Sequence, residues 1–133
     1  MMRDMLRAKI HRITVTEADV EYEGSITVDA ALMAACDMIP FEKVEVYDVD
    51  NGSRFSTYLI EGEAGTGVCC VNGAAARLVE VGDRLIICAY CTLDEAEARQ
   101  HQPFIILVDE DNSIWEQKRV ELHAHRVPAA RLH

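Results

Sequence analysis

The chain has no excess of basic residues, no long apolar run and few aromatic side chains. Lysine and arginine number 13 against 23 acidic residues, for a formal net charge of −10. That balance opposes nucleic acid and anionic membranes, because both are bound through cations. No apolar stretch is long enough to cross a bilayer, and the start has no signal-peptide pattern, so a cytoplasmic protein is expected. No internal repeat or low-complexity segment is present. Cysteine is present but odd in number: Cys36, Cys69, Cys70, Cys88 and Cys91. An odd count without a secretory signal argues against a disulfide framework. Cys88 and Cys91 have a metal-like spacing, but a zinc site needs a second pair that adjacent Cys69-Cys70 does not supply. In a strand, positions 88 and 91 point to opposite faces. These cysteines read as small buried hydrophobes, and no metal is expected.

What is present is a globular composition. The 133 residues are 50% hydrophobic, enough for one domain with a real core. Charge is unevenly spread. Residues 1–12 are net +3, residues 117–133 are net +3, and the stretch between carries −16. A dianionic substrate would be repelled by most of this surface and would need a local cationic pocket, which the basic arm 1–12 can supply.

The hydrophobic pattern predicts mostly short strands. Residues 9–15 alternate, which puts Ile13 and Val15 on the face of Lys9 and His11. Val44, Val46 and Asp48 face one way; Glu45, Tyr47 and Val49 face the other. Asn51-Gly52 is a hairpin turn signal, with Arg54–Ile60 as the returning strand. Val68–Val71, Arg84–Cys91 and Phe104–Val108 are further strands, followed by a turn at Asp111-Asn112. Helical pieces are brief: Ala30–Cys36 capped by Asp29, a turn from Asn72-Gly73 to Ala76, and Leu93–Arg99. So many strands in one small domain predict a mainly β fold closed into a barrel.

One dipeptide stands out. Gly24-Ser25 lies in Tyr22-Glu23-Gly24-Ser25-Ile26-Thr27-Val28-Asp29. Glycine leaves its carbonyl unshielded and accepts strained backbone, and the serine hydroxyl lies just beyond that carbonyl. Held in a strained turn, the hydroxyl can attack the carbonyl and convert the amide into an ester, where the chain can break. Most Gly-Ser pairs are ordinary turns. This one is accompanied, in order, by Lys9-Ile10-His11-Arg12, Asn51-Gly52-Ser53-Arg54-Phe55-Ser56-Thr57-Tyr58, Val71-Asn72-Gly73-Ala74-Ala75-Ala76 and Val81-Gly82-Asp83.

The ordered set resembles the pyruvoyl-dependent aspartate 1-decarboxylase family, from Met1 to about Trp115. Two features depart from it: the tail after Gln117, and Asp4 in place of a neutral polar residue. The resemblance implies a small double-psi β-barrel over residues 1–116; the tail 117–133, polar with Pro128 and scattered histidines, is expected to be disordered on its composition. It also implies self-cleavage into chains 1–24 and 25–133, with Ser25 becoming a covalent pyruvoyl group and no pyridoxal phosphate or metal required. The implied reaction is α-decarboxylation of L-aspartate through a Schiff base, giving β-alanine for pantothenate and coenzyme A synthesis. The implied assembly is a homotetramer with sites between subunits.

The same resemblance implies residue roles. Ser25 and Gly24 flank the cleavage. Arg54 holds the retained carboxylate, for which its planar fork is suited. Lys9 is a second cation for the substrate. Tyr58 returns the proton to the α-carbon. Thr57 and Asn72 donate to oxyanions, Thr57 mainly during self-cleavage and Asn72 to the developing enolate. His11 and Tyr22 line or orient the site, and Gly73, Ala74 and Ala75 offer backbone groups to the substrate. Taken singly, each residue has a structural explanation; the functional reading comes from the combination. Two other functions remain open to the residues alone: a self-cleaving N-terminal serine hydrolase, and a β-barrel interaction module that never cleaves.

Overall fold

The structure, a computed structural model, describes residues 1–119. The chain opens on a long strand, β1 (Met2–Thr14), and continues after two residues into β2 (Glu17–Asp19). Then come β3 (Ser25–Asp29), α1 (Ala30–Ala35), the hairpin β4 (Lys43–Asp48) and β5 (Arg54–Gly62), and β6 (Cys69–Asn72). A short 3-10 helix (Gly73–Leu78), β7 (Arg84–Asp94), α2 (Glu95–Gln100), β8 (Phe104–Val108) and β9 (Ile114–Arg119) follow.

The strand order is β2-β6-β3-β5-β4-β7-β1-β8-β9. Because β2 prolongs β1, the run from β2 to β1 returns to the same stretch of chain and closes a six-stranded ring. Thr16, at the join, donates its N–H to the Cys69 carbonyl at 2.8 Å, and its hydroxyl accepts from the Cys69 N–H at 2.9 Å. Two parallel pairings interrupt the antiparallel ring. β6 inserts between β2 and β3, and β5 between β3 and β4. This is the mainly β, double-psi arrangement expected. β8 and β9 extend the sheet beyond β1, so closure leaves an edge at β9.

The local signals acted as physical chemistry requires. Asp29 caps α1 by accepting from the Ala31 N–H at 2.8 Å, and Asp94 caps α2 through the Glu97 N–H at 2.8 Å. Gly52 takes a positive φ of 79° in the β4–β5 turn, which glycine adopts without penalty. Val44, Val46 and Asp48 face inward together. Ile10, Ile13, Ile26, Leu59, Leu85 and Ile87 fill the centre. Each such burial contributes about 1.5–3 kcal/mol, well above an exposed ion pair such as Arg3–Glu95 at about 0–1 kcal/mol.

β1 departs from the predicted alternation. Ala8 and Ile10 are buried before Arg12, and Ile13 and Val15 after it. Arg12 has φ +68°, and the β1–β7 register slips between His11 and Ile13. A bulge adds one residue to one strand and reverses the parity of every side chain beyond it. Ile13 and Val15 therefore do not share the face of Lys9. The helix starting at Gly73 runs to Leu78, two residues past its expected end. The strand at the C-terminal end runs to Arg119, past the boundary drawn at 116. The tail expectation for residues 120–133 lies outside the described residues.

Candidate active site

The Gly24-Ser25 junction is built by two short strands. Ile26-Thr27-Val28 is rich in β-branched residues and extends naturally. It pairs antiparallel with β6, so that Ser25 faces Asn72 and Thr27 faces Cys70. Side chains on opposed residues share a face, and here four polar ones do. The Asn72 side-chain amide donates to Ser25 Oγ at 3.0 Å and to Thr27 Oγ1 at 3.1 Å. The Cys70 thiol donates to Asn72 Oδ1 at 3.1 Å. The Ser25 hydroxyl donates to the Glu23 carbonyl at 3.3 Å. Ser25 is 1% exposed and Asn72 4%, so these groups act in a low-dielectric setting where hydrogen bonds are strong.

The backbone constraint is not where the sequence suggested. Gly24 is absent from the residues with positive φ and has open space where a Cβ would stand. Gly73 carries the demand instead, with φ +77° and its α-carbon against the backbone of Gly24. The 3-10 helix begins at Gly73, which puts Ala74 on the surface and leaves Ala75 half-buried just beyond Asn72.

β5 runs parallel to β3 with Ile26 opposite Leu59, so the Ser25 end of β3 runs alongside the Thr57–Tyr58 end of β5. Tyr58 stacks on Phe41, ring centroids 6.2 Å apart. Arg54, on the same face of β5 four residues earlier, is exposed, with its guanidinium 4.6 Å from the Tyr47 ring centre. A hollow bordered by Lys43, Glu45, Tyr47 and Tyr90 adjoins it. Thr57 is half-buried opposite Val44.

Lys9 and His11 stand on β1, opposite Cys88 and Ile86 of β7. Burial lowers the Lys9 pKa; the Cys88 sulfur acts in the opposite direction and Lys118 lowers it further. His11 is buried. The β1–β2 strand reaches the level of Asn72 only at Asp19, ten residues beyond Lys9. Tyr22 is 58% exposed, although its carbonyl packs against Gly73. Within one chain the candidates therefore fall into three groups: the buried Ser25–Asn72 cluster, the Arg54–Tyr58 face, and the Lys9–His11 stretch.

Two participants escaped the sequence reading, Thr27 and Cys70. Each lies two residues from a recognised partner, Ser25 or Asn72, so period-two alternation puts it on the same face. The signal was there once the two strands were paired.

The profile of a family described as aspartate decarboxylase matches residues 1–115. A relative from Clostridium novyi (strain NT), called aspartate 1-decarboxylase, is 53% identical over 114 residues, covering 86% of this chain and 93% of its own. Proteins of the same name from Cupriavidus taiwanensis and Syntrophus aciditrophicus are 54% and 55% identical. They cover 90% and 86% of this chain, and 100% and 98% of their own lengths. The crystal structure of a rationally designed protein aligns with TM-score 0.44 and 20% identity, over 58% of this chain and 90% of that one.

Proposed function

The chain belongs to the aspartate decarboxylase family, and from that premise we propose that it cuts itself at Gly24-Ser25 and uses the resulting pyruvoyl group on L-aspartate. It is an enzyme that removes the α-carboxylate of L-aspartate as CO2 and releases β-alanine for pantothenate and coenzyme A synthesis.

The observation that carries the maturation is the buried Ser25 hydroxyl, held at 3.0 Å by the Asn72 amide beside Gly24. The hydroxyl oxygen attacks the Gly24 carbonyl carbon, and the acyl group passes from nitrogen to oxygen. β-Elimination across Cα–Cβ of residue 25 then releases the Gly24 carboxylate and leaves dehydroalanine. Tautomerisation and hydrolysis expel ammonia. The products are chains 1–24 and 25–133. The Asn72 N–H stabilises negative charge on the attacking oxygen, as donors aimed at developing charge do. Thr57 donates to the tetrahedral oxyanion during cleavage.

The pyruvoyl ketone supplies an electron sink for the α-carbanion, which no protein side chain offers. The chain's own residues do the rest. Arg54 holds the retained carboxylate, Lys9 adds a second positive charge, and Tyr58 returns a proton to the α-carbon. Gly73, Ala74 and Ala75 present backbone N–H groups to the substrate, and His11 and Tyr22 orient the site. Because Lys9 and His11 stand on another strand of the same chain, a neighbouring subunit in a homotetramer brings them to Ser25. Exposed apolar side chains such as Ile39, Phe41, Val81 and Trp115 are available for that assembly. No helix among the described residues is long and apolar enough to cross a membrane; the cytoplasm is the proposed location.

Intact mass tests this reading. Purified protein should contain two fragments, the larger lighter by one ammonia than a serine-started chain. Borohydride with aspartate should fix substrate to it. Ser25→Ala should stay whole and inactive. A larger fragment that begins with unmodified serine would mean a serine hydrolase instead, and light scattering of a fully active monomer would remove the shared-site assembly.

A further inference from the structure

We infer that Cys70 is a positioning residue for self-cleavage, acting through Asn72 to aim its amide N–H groups at Ser25. The inference rests on the self-cleavage reading above.

An asparagine amide has two nearly isosteric orientations, one with donors toward a given neighbour and one with an acceptor. Only one orientation helps Ser25. With Nδ2 toward Ser25 and Thr27, each amide N–H meets a hydroxyl oxygen, at 3.0 and 3.1 Å. In the reverse orientation Oδ1 would face the attacking oxygen as it gains negative charge and would repel it. The far side of the amide selects between the two. There the Cys70 sulfur stands 3.1 Å from the amide oxygen. A protonated thiol donates weakly and accepts poorly, so it favours Oδ1 facing it.

The surroundings keep that thiol protonated. Cys70 is 8% exposed. Its pKa is raised first by burial, then by the negative charges of Glu17 and Asp19. Both acids lie on β2, directly opposite Cys70 and Asn72. Glu17 is a competing acceptor for the same proton and the weakest of these influences; the bond with hydrogen-bond geometry is the one to Asn72 Oδ1. β3, on the other side, presents Ser25 and Thr27, neither of which titrates at ordinary pH. The neighbouring Cys69 is buried, and its pKa is likewise pushed up, to about 12. The site therefore holds its donor to higher pH than an ordinary thiol would.

The test is the rate at which full-length chains made by cell-free synthesis split, followed by intact mass. Cys70→Val, which removes the donor at similar volume, should slow splitting at least tenfold. Cys70→Ser, which restores a donor, should stay within about threefold of the parent. Splitting of the parent should fall at high pH, where the thiolate would turn the amide round, and Cys70→Ser should lack that fall. A Cys70→Val chain that splits at the parental rate overturns the inference, as does a serine variant as slow as the valine one. The alkaline comparison needs only the parent and the serine variant, so misfolding of Cys70→Val does not spoil it; identical pH profiles also overturn the inference. A parent chain that never splits overturns the self-cleavage reading itself, and the role of Cys70 with it.

Discussion

A Cβ placed on Gly73 would stand 2.7 Å from the α-carbon of Gly24 and 2.8 Å from its nitrogen. The turn after β6 thus runs close against the Gly24 backbone, on the N-terminal side of the bond that is proposed to break. Both neighbours are backbone atoms and cannot swing aside. Gly73→Ala combines that overlap with a left-handed φ, which alone costs a non-glycine residue about 1–2 kcal/mol. We expect a lower melting temperature and loss of splitting at 24–25. A Gly73→Ala chain that melts and splits like the parent would show that the two backbones can part freely.

Asn72→Ala removes the donor shared by Ser25 and Thr27. Loss of one donor to a developing oxyanion typically costs 10²–10³-fold in rate, and splitting should slow by at least tenfold. The check is the fraction of whole chain over time. Asn72→Asp should be as slow, because a carboxylate offers Ser25 no N–H.

Arg54 is exposed over the ring of Tyr47, so its charge is free to meet an anionic substrate without strain on the barrel. A charge-assisted pair with a carboxylate is worth roughly 1.5–3 kcal/mol. Arg54→Ala should therefore lower kcat/KM by on the order of tenfold to a hundredfold, with the melting temperature nearly unchanged and splitting intact. Steady-state decarboxylation kinetics decide it, and an unaltered kcat/KM removes Arg54 from the substrate site.

Away from this site, carboxylate oxygens of Asp48, Asp50 and Asp83 lie within 4.8 Å of one another. Asp48 is 2% exposed. One of its oxygens accepts from the N–H groups of Asp50 and Asn51, and the other is buried without a donor. Burial, and next the neighbouring Asp83, push its pKa up to about 6, against about 3.9 in an unfolded chain. A raised pKa means that the folded state holds the proton more tightly. The stabilisation is complete below about pH 4 and is lost as pH rises through 6, a loss of about 3 kcal/mol at 1.36 kcal/mol per unit. Asp48→Asn keeps an acceptor for the two N–H groups and gives Asp83 a donor. Its melting temperature should exceed that of the parent at pH 8 and match it near pH 4. A difference independent of pH would rule out the titration of Asp48 as the cause.

Much of the barrel was legible along the chain. Alternation marked β4, Asn51-Gly52 marked the hairpin, and Asp29 marked the start of α1, because each depends on neighbours a few residues away. The ordered clusters around Gly24-Ser25 named the candidate site residues for the same reason, since each cluster is local. Arg12 shows the limit. Nothing in its neighbours announces a bulge, yet it reverses the inward face from Ala8 and Ile10 to Ile13 and Val15.

The sequence by itself determined which short segments extend, where they turn and which side chains could do the chemistry, because those properties arise from local sterics and side-chain type. The tertiary structure alone decided who meets whom. Ser25 and Asn72 are 47 residues apart and become partners only through the register of β3 on β6, which also brings in Cys70 and Thr27. The same register moved the steric demand from Gly24 to Gly73. Register is settled by burying whole faces of the barrel at once, a long-range condition that no short motif contains.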